Sequence, residues 1–164
     1  MLNGQQIYTI RSGLTENEQK TEKVLANAPR QYRAREAAGD TTLTSGSWTT
    51  ILFTDIISDI GGFTDALIIP STGLYIASAR ITVTDFTLAT KIGIKLEKTG
   101  GDIVAIGQQR VATGAGVENS VGCSAIFYAT RGDEYVLSGY QNEGSDQDLE
   151  ADGKSGLEIV RIAN

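Results

Sequence analysis

The chain of 164 residues has no histidine. That removes Ser-His-Asp and Cys-His catalysis, and it removes the imidazole ligands that zinc and copper sites usually need. A single cysteine, Cys123, allows no internal disulfide and no thiolate metal cluster. It falls within an expected strand, where a free cysteine is usually small buried packing rather than a nucleophile. Gly122-Cys123-Ser124 is not a nucleophile elbow. No Gly-Lys-Ser/Thr follows a glycine cluster, so no phosphate loop is present. Gly114-Ala115-Gly116 lacks the third glycine and the helix of a dinucleotide loop. No apolar run approaches the ~20 residues a membrane helix needs, and there is no Asn-x-Ser/Thr acceptor. The N-terminal stretch shows no basic end followed by an apolar core, so synthesis in a reducing cytosol is the expectation. Only two prolines stand against 19 glycines, which suits short strands joined by tight turns.

Charge is distributed unevenly. Residues 1–38 carry six basic and four acidic side chains, a net +2; residues 39–164 carry eight basic and sixteen acidic, a net −8. An acidic body repels phosphates, which speaks against nucleic acid as its partner. Two segments are expected. Residues 1–45 read as an attachment arm and residues 46–164 as one β domain. In the arm, Ile7, Tyr8 and Ile10 suit a short strand next to Arg11. Thr15-Glu16-Asn17-Glu18 fits a capping box, so a helix is expected over 16–27 with Val24 and Leu25 as its apolar contribution. Ala28-Pro29 stops that helix. Residues 31–38 are expected to add a turn or two of helix, and 39–47 to act as a hinge. The arm residues expected to attach are Ile7, Tyr8, Ile10, Arg11, Val24, Leu25, Arg30, Tyr32, Arg33 and Arg35.

The body is organised around residues 67–83. Leu67-Ile68-Ile69 stops at Pro70, and Ser71-Thr72-Gly73 supplies turn chemistry. From Leu74 the pattern alternates, with Tyr75, Ala77, Ala79, Ile81 and Val83 on one face. Further strands are expected over 48–53, 90–98, 103–110, 120–130, 133–141 and 157–163. In 90–98, Ile92, Ile94 and Leu96 share the inward face. Thr99-Gly100-Gly101-Asp102 is a hairpin turn. Trp48, the sole tryptophan, reads as a core or rim anchor. Residues 112–119 and 142–155 read as loops. The sum is an all-β fold, an antiparallel jelly-roll sandwich preceded by an extended and short-helical arm.

Three passages carry a resemblance. They are Ile69-Pro70-Ser71-Thr72-Gly73-Leu74-Tyr75, then Ala129-Thr130-Arg131-Gly132-Asp133-Glu134-Tyr135-Val136-Leu137, then the closing strand Ser155–Ile162. Their order and spacing resemble the tumour necrosis factor and complement globular-head superfamily, from Trp48 to the C-terminus. The resemblance implies a jelly roll, assembly as a homotrimer and a non-enzymatic role. Arg131-Gly132-Asp133 spells an integrin-binding tripeptide, but it coincides with the superfamily's Gly-Asp turn and reads as structure.

Two chemical readings of the acidic residues remain. Asp146, Asp148, Glu150 and Asp152 alternate and could offer oxygens to calcium, although Ala151 stands where an EF-hand needs glycine; the plainer reading is a solvated acidic loop and no cofactor. Paired carboxylates could also serve a glycosidase, but sixteen acids guarantee some chance pairs. With no catalytic set and no export signal, an assembly protein is the expectation; bacteriophage virions use domains that resemble this superfamily as capsid decorations, head fibres and tail-fibre knobs, so the resemblance implies a virion protein made in the host cytoplasm. It would be a trimeric capsid decoration or head-fibre protein whose partner is the major capsid protein or another virion component. The alternative is a tail-fibre or baseplate knob whose loops 112–119 and 142–155 bind a host surface glycan or protein. Neither nucleic acid nor a membrane is an expected partner.

Overall fold

The computed structural model describes residues 30–35, 41–53, 55–58, 66–88, 90–150 and 153–163, with backbone alone for 30–35 and 55–58. Twelve strands and no helix lie among them. The strands are β1 (Arg30–Arg35), β2 (Thr42–Leu43), β3 (Trp48–Thr50), β4 (Asp55–Ser58), β5 (Leu67–Ile68), β6 (Gly73–Val83), β7 (Lys91–Lys98), β8 (Ile103–Arg110), β9 (Asn119–Ala129), β10 (Glu134–Gln141), β11 (Gln147–Asp148) and β12 (Gly156–Ala163).

Sheet I runs β4-β1-β12-β6-β9. Sheet II runs β3-β10-β7-β8, with β5 also on β10. The pair β2–β11 stands apart. All strand pairs are antiparallel. Neighbours in each sheet are mostly distant in sequence, as a jelly roll requires.

Alternation fixes which face is inside. Tyr75, Ala77, Ala79, Ile81 and Val83 of β6 are buried, as are Ile92, Ile94 and Leu96 of β7. With Leu137, Leu157 and Ile159 they form one core between the sheets. Burial of this set drives the sandwich, at about 1.5–3 kcal/mol for each large aliphatic side chain taken from water. The long strand β6 lies between β12 and β9 and pairs along its whole length with β9, from Gly73 opposite Ala129 to Val83 opposite Asn119.

The start of the body differs from the expectation. Residues 31–38 were expected to be helical because they are rich in Ala, Arg and Glu; instead 30–35 form β1, hydrogen-bonded between β12 and β4. Satisfying the edge of β12 overrides that local propensity. Of the expected hinge, residues 41–47 are described and pack onto the body, while residues 39 and 40 lie outside the described residues. Leu43 is fully buried in the core and β2 pairs with β11. Thr41 and Thr44 thus flank a short core strand, Thr42–Leu43. The helix expected over 16–27 and the strand around residues 7–10 fall outside the described residues.

Candidate interaction surfaces

The three passages that carry the resemblance meet at one end of the sandwich. The Tyr75 hydroxyl donates to the Ser71 carbonyl at 2.6 Å and closes the turn into β6. The Arg161 guanidinium donates to the Thr72 carbonyl at 2.8 Å. Arg131 N–H donates to the Thr72 hydroxyl at 3.0 Å, Ile69 N–H donates to the Asp133 carbonyl at 2.8 Å, and Gly132 N–H donates to the Ile69 carbonyl at 2.8 Å. Gly73 has to be glycine, since a β-carbon there would run into the Ala163 carbonyl and come within 2.6 Å of Arg161 Nε.

Asp133 is engaged in the same region. Its Oδ1 accepts from Lys98 Nζ at 2.8 Å and its Oδ2 from Thr130 N–H at 3.0 Å. The lysine and this backbone donor hold its carboxyl below the usual aspartate range. Both oxygens of the tripeptide's acid are therefore spent inside the turn, and Gly132 supplies the left-handed φ of 88° that the turn needs.

The outer face of sheet I divides into two ends. Towards the Tyr75 turn it is apolar. Tyr128 lies opposite Leu74, Ile126 opposite Ile76, and Ile76 opposite Val160. Ile126 and Tyr128 are 65% and 63% exposed, and Ile76 and Ile162 about 40%. Towards the other end the rows are small or polar: Ser124–Ser78–Glu158, Gly122–Arg80–Gly156 and Ser120–Thr82. Four large exposed apolar side chains gathered on one sheet face are the mark of a surface that is covered by a partner.

The outer face of sheet II carries Trp48. It lies opposite Tyr140, with ring centroids 5.4 Å apart and planes tilted by 41°. Lys95 Nζ sits 5.0 Å from the indole centroid and 2.7 Å from the Glu97 carboxylate. The tryptophan is thus a rim residue, 36% exposed, rather than a core one.

The two expected receptor loops come together at the end opposite the Tyr75 turn. Asn119 clamps the first, its Oδ1 accepting from Ala112 N–H at 2.7 Å and its Nδ2 donating to Ala112 O at 2.9 Å. Lys154 of the second loop pairs with Glu118 of the first. Much of the second loop is internal rather than a free polar excursion. Leu149, Glu143 and Ser155 are buried, and buried Gln141 donates to the Leu43 carbonyl at 2.9 Å and to the Ser145 carbonyl at 2.7 Å.

The acidic run of that loop serves β2. Asp146 Oδ1 accepts from Ser45 N–H at 3.1 Å and Asp148 Oδ1 from the Thr42 hydroxyl at 2.6 Å. Glu150 accepts from the Thr84 hydroxyl and faces Lys154 Nζ at 3.9 Å. Asp152 lies outside the described residues. Among the described residues no three acidic or sulfur side chains converge as a metal site. Of the expected attachment residues, Arg30, Tyr32, Arg33 and Arg35 belong to β1, between β4 and β12 in sheet I, opposite Arg161, Ile159, Glu158 and Gly156. Ile7, Tyr8, Ile10, Arg11, Val24 and Leu25 fall outside the described residues.

No family model and no curated protein matches this sequence. Solved structures do match in fold. Eiger TNF from S. frugiperda aligns at 12% identity and TM-score 0.59, covering 83% of this chain and 92% of its own. Murine APRIL aligns at 13% and 0.59, covering 81% and 98%. The globular domain of zebrafish complement 1qA aligns at 11% and 0.58, covering 82% and 98%. The fold is therefore the jelly roll of the tumour necrosis factor and complement globular heads.

Proposed function

We propose that this chain is a homotrimeric virion structural protein of a bacteriophage, a capsid decoration or head-fibre protein that binds and assembles rather than catalyses. The observation that carries the reading is the apolar end of the outer face of sheet I. Ile76, Ile126, Tyr128 and Ile162 stand exposed there, and a threefold arrangement of copies would cover them. Residues 1–29, with Ile7, Tyr8, Ile10, Arg11, Val24 and Leu25, are the proposed contact with the major capsid protein or another virion component. Arg30–Arg35 belongs to the body. The reading needs no cofactor, because the acidic loop has a structural use in holding β2.

Light scattering of the purified chain tests the assembly. A trimer is expected, and Ile126→Asp should yield a folded monomer by circular dichroism. A wild-type monomer would overturn the reading. Immunolabelling of purified phage particles tests the place, with label on the head expected. Label confined to the tail tip would favour a receptor-binding knob instead. That second reading draws on the Glu118–Lys154 pair, which gathers residues 112–119 and 142–155 into one surface. Lys154→Glu should then impair adsorption to the host, whereas the decoration reading expects no such effect.

A further inference from the structure

We propose that the outer face of sheet II is a binding platform for a neutral hexopyranose glycan, built on Trp48 and Tyr140 and edged by Gln108, Lys95 and Glu97. The inference is independent of the trimer reading, since it uses the opposite face of the sandwich.

The platform is one transverse row of the sheet. Trp48 on β3 lies opposite Tyr140 on β10, Tyr140 opposite Gly93 on β7, and Gly93 opposite Gln108 on β8. Gly93 creates the space for the indole. A β-carbon there would stand 3.2 Å from Trp48 Cη2 and 3.4 Å from Gln108 Cγ. The tryptophan ring thus reaches across the strand next to its own neighbour and ends beside the glutamine amide. A side chain at position 93 would push both away from the sheet. Gly93 is buried although it belongs to the outer face, as the residue beneath such a ring must be.

The indole is held rather than free. Tyr140 packs against it at a tilt, and the Lys95 ammonium lies near its centroid while bound to Glu97. Restricting the ring before a ligand arrives lowers the entropy lost on binding. Two rings set at 41° offer a bent apolar floor.

The chemistry around that floor selects the ligand. A pyranose has one face of C–H bonds and a rim of hydroxyls. It needs a flat electron-rich surface below and planar hydrogen-bonding groups at the edge. Tyr140 and the part of the indole that Lys95 leaves uncovered supply the first. The exposed Gln108 amide, with a donor and an acceptor side by side, supplies the second. Lys95 and Glu97 form a neutral pair at 2.7 Å beside the ring. A protein partner would call for a wider apolar surround than this row, which is flanked by Thr50, Ser138, Lys95 and Ile106 on one side and by Lys91 and Arg110 on the other.

Trp48 is the sole tryptophan, so intrinsic fluorescence reports this surface directly. The full chain is titrated with cellohexaose, maltohexaose, chitohexaose and mannohexaose, each to about 10 mM, a range that captures millimolar sites. At least one should give a saturable change in emission. Trp48→Ala should abolish binding measured by calorimetry, and Trp48→Phe should restore part of it. Gln108→Ala, a change at an exposed position, should weaken it at least tenfold without altering the melting temperature. The proposal is overturned if none of the four sugars binds, if binding survives Trp48→Ala, or if Gln108→Ala leaves it unchanged.

Discussion

The hydroxyl of Tyr75 donates to the carbonyl of Ser71 at 2.6 Å, so the first inward side chain of β6 also ties down the turn that precedes it. The ring itself is fully buried beside Phe127, at 6.1 Å between centroids. Tyr75→Phe keeps that packing and leaves the Ser71 carbonyl without its donor. The expected loss is about 1–2 kcal/mol, the cost of an unmade hydrogen bond in a partly buried turn. Tyr75→Ala should lose about 3–5 kcal/mol. Urea unfolding with an unchanged slope is the measurement.

The two sheets touch where β8 meets β9. A β-carbon on Gly107 would collide with the Gly122 carbonyl and approach Ile94 Cγ2 at 3.4 Å. Backbone cannot swing aside as a flexible side chain can. Gly107→Ala is therefore expected to cost at least about 1–3 kcal/mol, as overpacking does. Gly101→Ala is the control. There the β-carbon meets only the flexible Lys98 side chain, at 3.4 Å, and the change should stay within about 0.5 kcal/mol. Equal effects of the two on the melting temperature would contradict this account.

Truncation separates the body from what precedes it. Removing residues 1–29 deletes no described strand, and the remainder should melt cooperatively. Removing residues 1–45 takes away β1 and β2, bares the edge of β12 and extracts Leu43 from the core. That variant should be unfolded or insoluble. Leu43→Ala in the full chain should cost about 2–5 kcal/mol. It is a sharp probe because Leu43 packs against Gly139, where a β-carbon would stand 2.7 Å from Leu43 Cδ2.

The long strands were legible because alternation and turn residues agree. Tyr75 to Val83 alternate for nine residues, and Gly100-Gly101 closes β7 onto β8 with the left-handed φ of 68° at Gly100. The short elements β1, β2, β4 and β11 were not. A strand of two residues such as Thr42–Leu43 has no period to read. Arg30–Arg35 is helix-prone in composition and becomes β-structure only because β12 offers an edge. The β-branched Ile56-Ile57 pair was the one local sign of β4. The candidate surfaces were hidden for a related reason. Ile76, Ile126 and Tyr128 lie in strands read correctly, but only the pairing of β6 with β9 brings them side by side. Trp48 and Gln108 meet over Gly93 through three cross-strand steps that no spacing along the chain reveals.

Cys123 should react slowly. It lies on β9, opposite Ala79, and burial pushes its thiol up to about 11 despite a backbone hydrogen bond near Leu96 that acts the other way. The thiolate is the nucleophile, so at about pH 8 very little of it is reactive. A coloured disulfide reagent should label the folded protein far more slowly than the urea-unfolded chain. The folded-state rate should rise about tenfold per pH unit until the thiol titrates. The linkage has the corresponding sign. The unfolded thiol ionises from about pH 9 while the folded one stays protonated, so this group lowers stability as pH rises from 9.0 towards 11. Cys123→Ser should make the alkaline slope shallower, leaving the shares of Lys98 and Tyr135, whose pKa values are also raised.

The pair Lys98–Asp133 predicts the acid side. Lys98, through its hydrogen bond, and the Thr130 N–H lower the Asp133 pKa, while Asp133 raises that of Lys98. A carboxyl depressed in the folded state contributes stability above its unfolded value of 3.8 and loses it as pH falls through the folded value. The lysine contributes below 10.5 and loses its share as pH rises through its raised folded value. Asp133→Asn keeps an acceptor for Thr130 N–H but discards the charge. Its stability should therefore fall less steeply below about pH 4 than that of the wild type, with the two curves converging in acid. Because the pair lies at the surface, 1 M salt should shrink the difference between them at neutral pH, where the Debye length drops to about 3 Å. Parallel acid limbs for the two proteins in guanidinium-free thermal melts would show that the Gly-Asp turn draws its stability from the backbone bonds alone.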